Sequence, residues 1–258
     1  MDVIVEYYFD FGVMKDNIEP VLRGLWFTVK LAVLGGICSL VWGLILAVLR
    51  QLPGRASAPV RWLTIAYIDV FRGLPLLIVL LLISGGLGAF TAEGVLPRSF
   101  GIPNWFGQPD PFWYGIFALT LTYGAYMAEV YRAGIEAVPG GQTEAARSVG
   151  MSHGQAMRHI IVPQAVRKVI PPLLNDFVAL TKDTALVGFI GLIELTQAGQ
   201  DVQSEIYNGS ALTLGALLYL LLTIPLARYV DRLIAGQQAK FQRGMPGGGS
   251  AGGGLAGA

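Results

Sequence analysis

Four stretches of this chain run for nearly the thickness of a bilayer without a charge, and they restrict the folds open to it. Leu31 to Leu49 is uncharged for 19 residues, Gly73 to Ala92 for 20 and Gly209 to Ala227 for 19. Phe112 to Ala128 adds another 17. A helix needs about 20 apolar residues to cross the hydrocarbon core, and every backbone polar group in lipid must be satisfied internally. The expected fold class is therefore an all-α integral membrane protein. Composition agrees, with 53% hydrophobic and 14% charged residues, where soluble domains carry about 25% charged. The mean hydropathy is +0.57. A net charge of +1 leaves no basic footprint for nucleic acid. The single cysteine, Cys38, excludes an internal disulfide and reads as a small packed residue. The first 19 residues hold five acids and no apolar core, which does not fit a cleavable signal peptide.

Charge placement orients the spans. Arg50, Arg55 and Arg61 follow the first run with no acid among them, which puts that short loop inside by the positive-inside rule. Five transmembrane helices, N-out and C-in, satisfy every loop. The expected spans are about 25–49, 62–90, 112–134, 168–194 and 209–232, within a transmembrane domain over 21–236. Residues 1–20, acidic and aromatic, read as an extracytoplasmic or interfacial segment. Thr91 to Pro111 and Thr196 to Asn208 read as outer loops, with Trp105, Trp113 and Tyr114 at the outer interface. Residues 237–258 read as a cytoplasmic tail, Gly-rich and disordered from Gly244 onward. Two charge pairs at i,i+3, Asp69 with Arg72 and Glu129 with Arg132, read as structural pairs on helix faces.

One polar island interrupts this pattern, from Val138 to Pro163. Pro139-Gly140-Gly141 stops the preceding helix. Gln142 to Val149 is a short helix former, and Gly150 breaks it. Ser152 to Gln155 reads as a capping box opening a second helix that ends before Pro163. The basic residues around it place the island inside. Its order exceeds what a connecting loop requires, although an ordered loop would look the same.

Glu144-Ala145-Ala146, Gly150, Ile160 and Val162-Pro163 resemble the EAA loop of ABC-importer permeases, with Val162 where Leu is usual. The resemblance implies a type I ABC importer permease fold, with 138–163 as coupling loop and its first helix as the coupling helix that docks on an ATPase. The ATPase-coupling residues it implies are Glu144, Ala145, Ala146, Gly150 and Pro163.

Enzyme chemistry is not expected in this chain. No glycine-rich phosphate loop occurs, since none of the five lysines follows a glycine. His153 and His159 lack metal spacing, so neither a metal nor a catalytic set is expected. Function is expected in the fourth span, which carries Asp176, Lys182 and Asp183. Charge at membrane depth normally faces a bundle interior or a wet cavity. Asp176 and Asp183 lie two helical turns apart on one face, about 10.5 Å along the axis, beside Asn175 and Thr184. Such a face could hold an ammonium or guanidinium group, or belong to a structural network with Lys182.

Asn175 to Leu186 and Phe71 to Leu77 are similar to the matching regions of polar amino acid permeases. In the members that carry basic amino acids, acids at the positions of Asp176 and Asp183 contact substrate. The resemblance therefore implies a substrate site of Asp176, Asp183, Thr184 and Asn175, with a lean toward cationic amino acids. It implies two cytoplasmic ABC ATPase subunits that bind ATP and Mg, a second permease copy or paralogue, an extracytoplasmic amino-acid-binding protein, and a multi-pass place in the bacterial cytoplasmic membrane. The alternative is an ATP-independent transporter or channel subunit, which would predict an internal repeat that is absent. A membrane scaffold would leave the buried acids unexplained.

Overall fold

The computed structural model describes residues 2–243, with side chains to residue 236, and among these the chain is helical with no strand. Two short helices come first, α1 (Asp2–Tyr8) and α2 (Phe11–Asp16). The long α3 (Ile18–Arg50) follows, then α4 (Ala58–Gly73), α5 (Leu76–Ala92) and the single turn α6 (Arg98–Gly101). Next come α7 (Asp110–Glu136), α8 (Gly140–Ser148) and α9 (His153–Ala156). A π-helical turn, Met157–Ile161, leads into α10 (Val162–Asp183), and a 3₁₀ segment, Thr184–Ile190, follows it. The last two are α11 (Leu195–Ile206) and α12 (Ser210–Arg243).

Among the described residues, α3 and α12 are each long and apolar enough to cross a membrane alone; α4 and α5 together would make a third span, bent by 108°. The single span expected over 62–90 is thus broken. Pro75 supplies the reason. It has no N–H to donate, and it drives the preceding residue out of the helical region, so Leu74 sits at φ −92° and ψ 136°.

The expected 168–194 span also differs. Its helix begins earlier, at Val162, and ends at Asp183, where the chain tightens into the 3₁₀ segment and turns at Gly191 with φ 93°. The expected outer loop after it is mostly helix. Glu194 caps α11, accepting from the Thr196 and Gln197 N–H groups at 2.9 and 2.8 Å, and Leu195, Ala198, Gly199 and Val202 give α11 a buried face. The final helix runs on to Arg243, where a tail was expected from 237; the Gly-rich stretch 244–258 lies outside the described residues.

The core forms where α3 lies along α7. Gly35, Ser39, Gly43 and Ala47 recur every four residues and are all buried. Small residues at this spacing let two backbones approach closely. A Cβ at Gly43 would sit 2.8 Å from Met127 Cβ and 2.9 Å from the Gly124 carbonyl. Ser39 Oγ donates to the Leu119 carbonyl of α7 at 3.1 Å. Around this contact Leu31, Leu80, Phe112, Leu119, Leu180 and Val187 build the main apolar cluster. At one end of α7, Glu129 pairs with Arg132 at 2.7 Å, as its spacing predicts, and also with Arg50 of α3; Arg132 pairs onward with Glu136.

Glu194 ties two further elements to α11. It is fully buried and also accepts from Thr28 of α3 at 3.4 Å and Tyr219 of α12 at 3.0 Å. The N-terminal helices are fastened to the start of α12 and the turn before it, where Ser210 Oγ accepts from the Asp10 N–H and Asn208 donates to the Glu6 carbonyl.

Candidate functional site

The break between α4 and α5 opens a cavity of about 240 Å³. Leu74, Pro75 and Leu76 form one wall, Thr122, Tyr123 and Tyr126 of α7 the second, and Asp176, Ala179 and Asp183 of α10 the third. The cavity exists because the chain stops being helical at Pro75 while α10 stays helical through Asp183. The seven-residue spacing then turns both carboxylates into the same space.

The two acids differ in their surroundings. Asp183 accepts a hydrogen bond from the Tyr123 hydroxyl at 2.7 Å. Asp176 has a buried carboxylate oxygen, Oδ2, with no hydrogen-bond partner, and the hydroxyl of buried Thr122 is likewise unpartnered. A buried carboxylate oxygen without a donor costs free energy, so this site has unmet demand for a donor or a cation. Arg72 is close enough to act on Asp176 electrostatically, and its guanidinium lies 5.7 Å from the Tyr126 ring centroid. The expected Asp69–Arg72 pair is absent among the described residues. Arg72 is drawn instead to the cavity wall, where aromatic face and carboxylate both favour a cation. Helix α5 begins with no side-chain cap, and its first residue, Leu76, is on the cavity wall.

Of the residues expected to bind substrate, Asp176 and Asp183 line the cavity; Asn175 and Thr184 do not. Asn175 is exposed, and Thr184 is fully buried with its hydroxyl donating to the Thr181 carbonyl at 2.8 Å. Lys182 is exposed and pairs with no acid among the described residues. Sequence reasoning missed Thr122, Tyr123 and Tyr126. The signal available was a cluster of hydroxyls, T-L-T-Y-G-A-Y, inside an uncharged run. It also missed Glu194, whose signal was a lone acid in G-L-I-E-L.

The coupling-loop residues form the second feature. Glu144, Ala145 and Ala146 lie on α8; Glu144 and Ala145 face solvent and Ala146 packs inward. Gly150 follows at φ 85°, a conformation that suits glycine. The Ser152–Gln155 capping box is formed, with both reciprocal bonds present. Pro163 departs from expectation, since it lies in the first turn of α10 and does not end a helix there. Proline at a first turn is tolerated because that N–H is not needed, and the π turn just before it relieves the ring's conflict with the preceding carbonyls: the Val162 N–H bonds back to the Met157 carbonyl. As a result α9, the π turn and α10 form one continuous path from the capping box to Asp183. Val138, Ile161 and Ala165 pack this platform against the end of α7.

Residues 39–236 match the family model described as binding-protein-dependent transport system inner membrane component. The chain is 36% identical over 223 residues to the probable glutamine ABC transporter permease protein GlnM of Bacillus subtilis, covering 86% of this chain and 95% of the relative. It is 32% identical over 217 residues to the arginine transport system permease protein ArtQ of the same organism, covering 83% and 91%. Among solved structures, the crystal structure of an amino acid ABC transporter with histidines superimposes with a TM-score of 0.74 at 33% identity, covering 92% of this chain and 99% of that one. The chain therefore belongs to the binding-protein-dependent transport system inner membrane component family, the permease subunits of ABC importers.

Proposed function

We propose that the chain carries polar amino acids, with a preference for cationic ones, across the bacterial cytoplasmic membrane as a five-span, N-out and C-in permease. The observation that carries this reading is the pair of carboxylates in one cavity beside a helix break, one with a buried oxygen that lacks a partner. An ammonium or guanidinium group would satisfy that oxygen by a charge-assisted bond. Asp183, already held by Tyr123, would accept a second donor. The substrate carboxylate would face the uncapped start of α5, where the helix dipole favours an anion. Broken helices with opposed partial charges at membrane depth are a transporter's means of holding a zwitterion. The relatives' names include glutamine and arginine, so the family permits both neutral and cationic side chains.

ATP hydrolysis belongs to two partner ATPases that dock on α8. Exposed Glu144, Ala145 and Val149 offer the contact. Movement of α8 pivots at Gly150 and reaches Asp176 and Asp183 through the continuous α9–α10 path, switching the cavity between two packed states. Five helices do not enclose a pathway, so a second permease completes it, and an extracytoplasmic binding protein delivers substrate.

The test is uptake by the reconstituted complex. Asp183→Asn and Asp176→Asn are expected to cut arginine uptake about tenfold or more while the ATPase subunits still co-purify. Unchanged uptake would remove the carboxylates from the site. Uptake that persists with no ATPase partner present would sink the ATP-driven reading, and retention of the ATPase after Glu144 and Gly150 substitution would remove α8 from the contact. A binding screen of the twenty amino acids against the partner binding protein identifies the substrate.

A further inference from the structure

A second cavity, of about 600 Å³, lies beneath the segment that joins α5 to α7. Leu82, Leu87 and Phe90 of α5, Phe100 of α6, Trp105 of the turn before α7 and Phe117 of α7 line it. Among the described residues no ionisable group lines it, so they offer nothing with which to hold a zwitterion. It far exceeds the water-sized voids of a packed interior, and apolar cavities take apolar ligands. Leu82 and Phe90 on its edge are 65% and 53% exposed, which opens the groove to the surrounding lipid. Trp105 stacks within an aromatic cluster of Phe100, Trp113 and Phe117, the residue class that gathers at headgroup level. Arg98 stands between two lining residues, Pro97 and Phe100, is exposed, and pairs with no acid among the described residues.

We infer that this groove binds one acyl chain of an anionic phospholipid from the outer leaflet, with the phosphate held at Arg98. The tail fills the apolar channel, and the cation on its rim selects the headgroup. A second copy of the chain is the competing occupant. A two-fold contact centred on the groove would set Arg98 against its own symmetry mate, which disfavours it. The inference rests on the N-out orientation proposed above, which puts the α5–α7 segment outside, and does not depend on which amino acid is carried.

Tryptophan quenching tests it. The assembled complex is placed in nanodiscs of zwitterionic lipid doped with phosphatidylglycerol brominated midway along one chain, or with equally brominated phosphatidylcholine. The difference between the native chain and Trp105→Phe isolates the signal of Trp105. That signal is expected to show about fivefold tighter quenching by the anionic lipid, the effect of one basic residue near an anionic headgroup. Arg98→Gln is expected to make the two lipids equal. Gly86→Leu, which fills a lining position with no heavy atom within 4 Å of its Cβ, is expected to weaken both. Equal quenching by both lipids in the native chain overturns the inference, as does a Trp105 that neither reaches. Disulfide trapping of two copies through Phe100→Cys in a Cys38→Ser background would assign the groove to a subunit contact and overturn it too.

Discussion

Glu194 is the residue at which α3, α11 and α12 converge. Its carboxylate collects donors from α3, α12 and the first turn of α11 with no exposure to solvent. Removing it leaves several buried donors unpartnered, each costing about 1–3 kcal/mol. Glu194→Ala should therefore lower stability by about 3 kcal/mol or more, read as a loss of melting temperature in detergent, whereas Glu194→Gln keeps one acceptor oxygen and should lose less. Gly150 poses a different residue-scale demand. At φ 85° a Cβ costs about 1–2 kcal/mol. Gly150→Val should leave the transmembrane part intact and reduce substrate-stimulated ATP hydrolysis by the reconstituted complex, measured as phosphate release.

Among the elements, α3 and α7 are the pair that the rest depends on. Gly43→Val is expected to force them apart and abolish a monodisperse peak in size-exclusion chromatography. Gly88→Ala, with no heavy atom within 4 Å of its Cβ, is expected to elute unchanged. At this scale the uncharged runs made the main helices legible, because burial in lipid is written directly into composition. The capping box at Ser152 and the glycine break at Gly150 were legible because each is a local backbone requirement. Pro75 was visible, but its consequence was not: the sequence does not say whether neighbouring helices straighten a proline or exploit it as a bend. Pro163 misled for the same reason, since a proline reads equally as the end of one helix or the first turn of the next. The pairing of Tyr123 with Asp183 joins residues 60 apart and leaves no trace in either neighbourhood. Asp176 and Asp183 could be read as sharing a face because helical periodicity fixes that, whereas Asn175 and Thr184 are adjacent in sequence only.

For the whole molecule, the cavity proposed to hold substrate and the helix α8 proposed to meet the ATPase are joined through α9 and α10, and the described residues wall the cavity from the α4–α5 break, α7 and α10. A complete transporter should weigh as two permeases with two ATPases, a composition that native mass spectrometry of the purified complex would read. A mass corresponding to a single permease with full uptake activity would contradict it.

The π turn at Met157–Ile161 has a consequence for phase. It holds one residue more than an α-helical turn would, so α9, which leads back to the proposed ATPase contact on α8, sits at an azimuth offset from that of α10. Each residue of an α-helix turns the chain by about 100° and lifts it 1.5 Å. Deleting one residue of the turn, with Pro163→Ala to permit regular bonding, would yield an unbroken helix whose docking face points elsewhere. Such a chain is expected to fold, enter the membrane and bind amino acid normally while failing to retain its ATPase, which would make rotational register a determinant of assembly separate from the identity of any contacting residue.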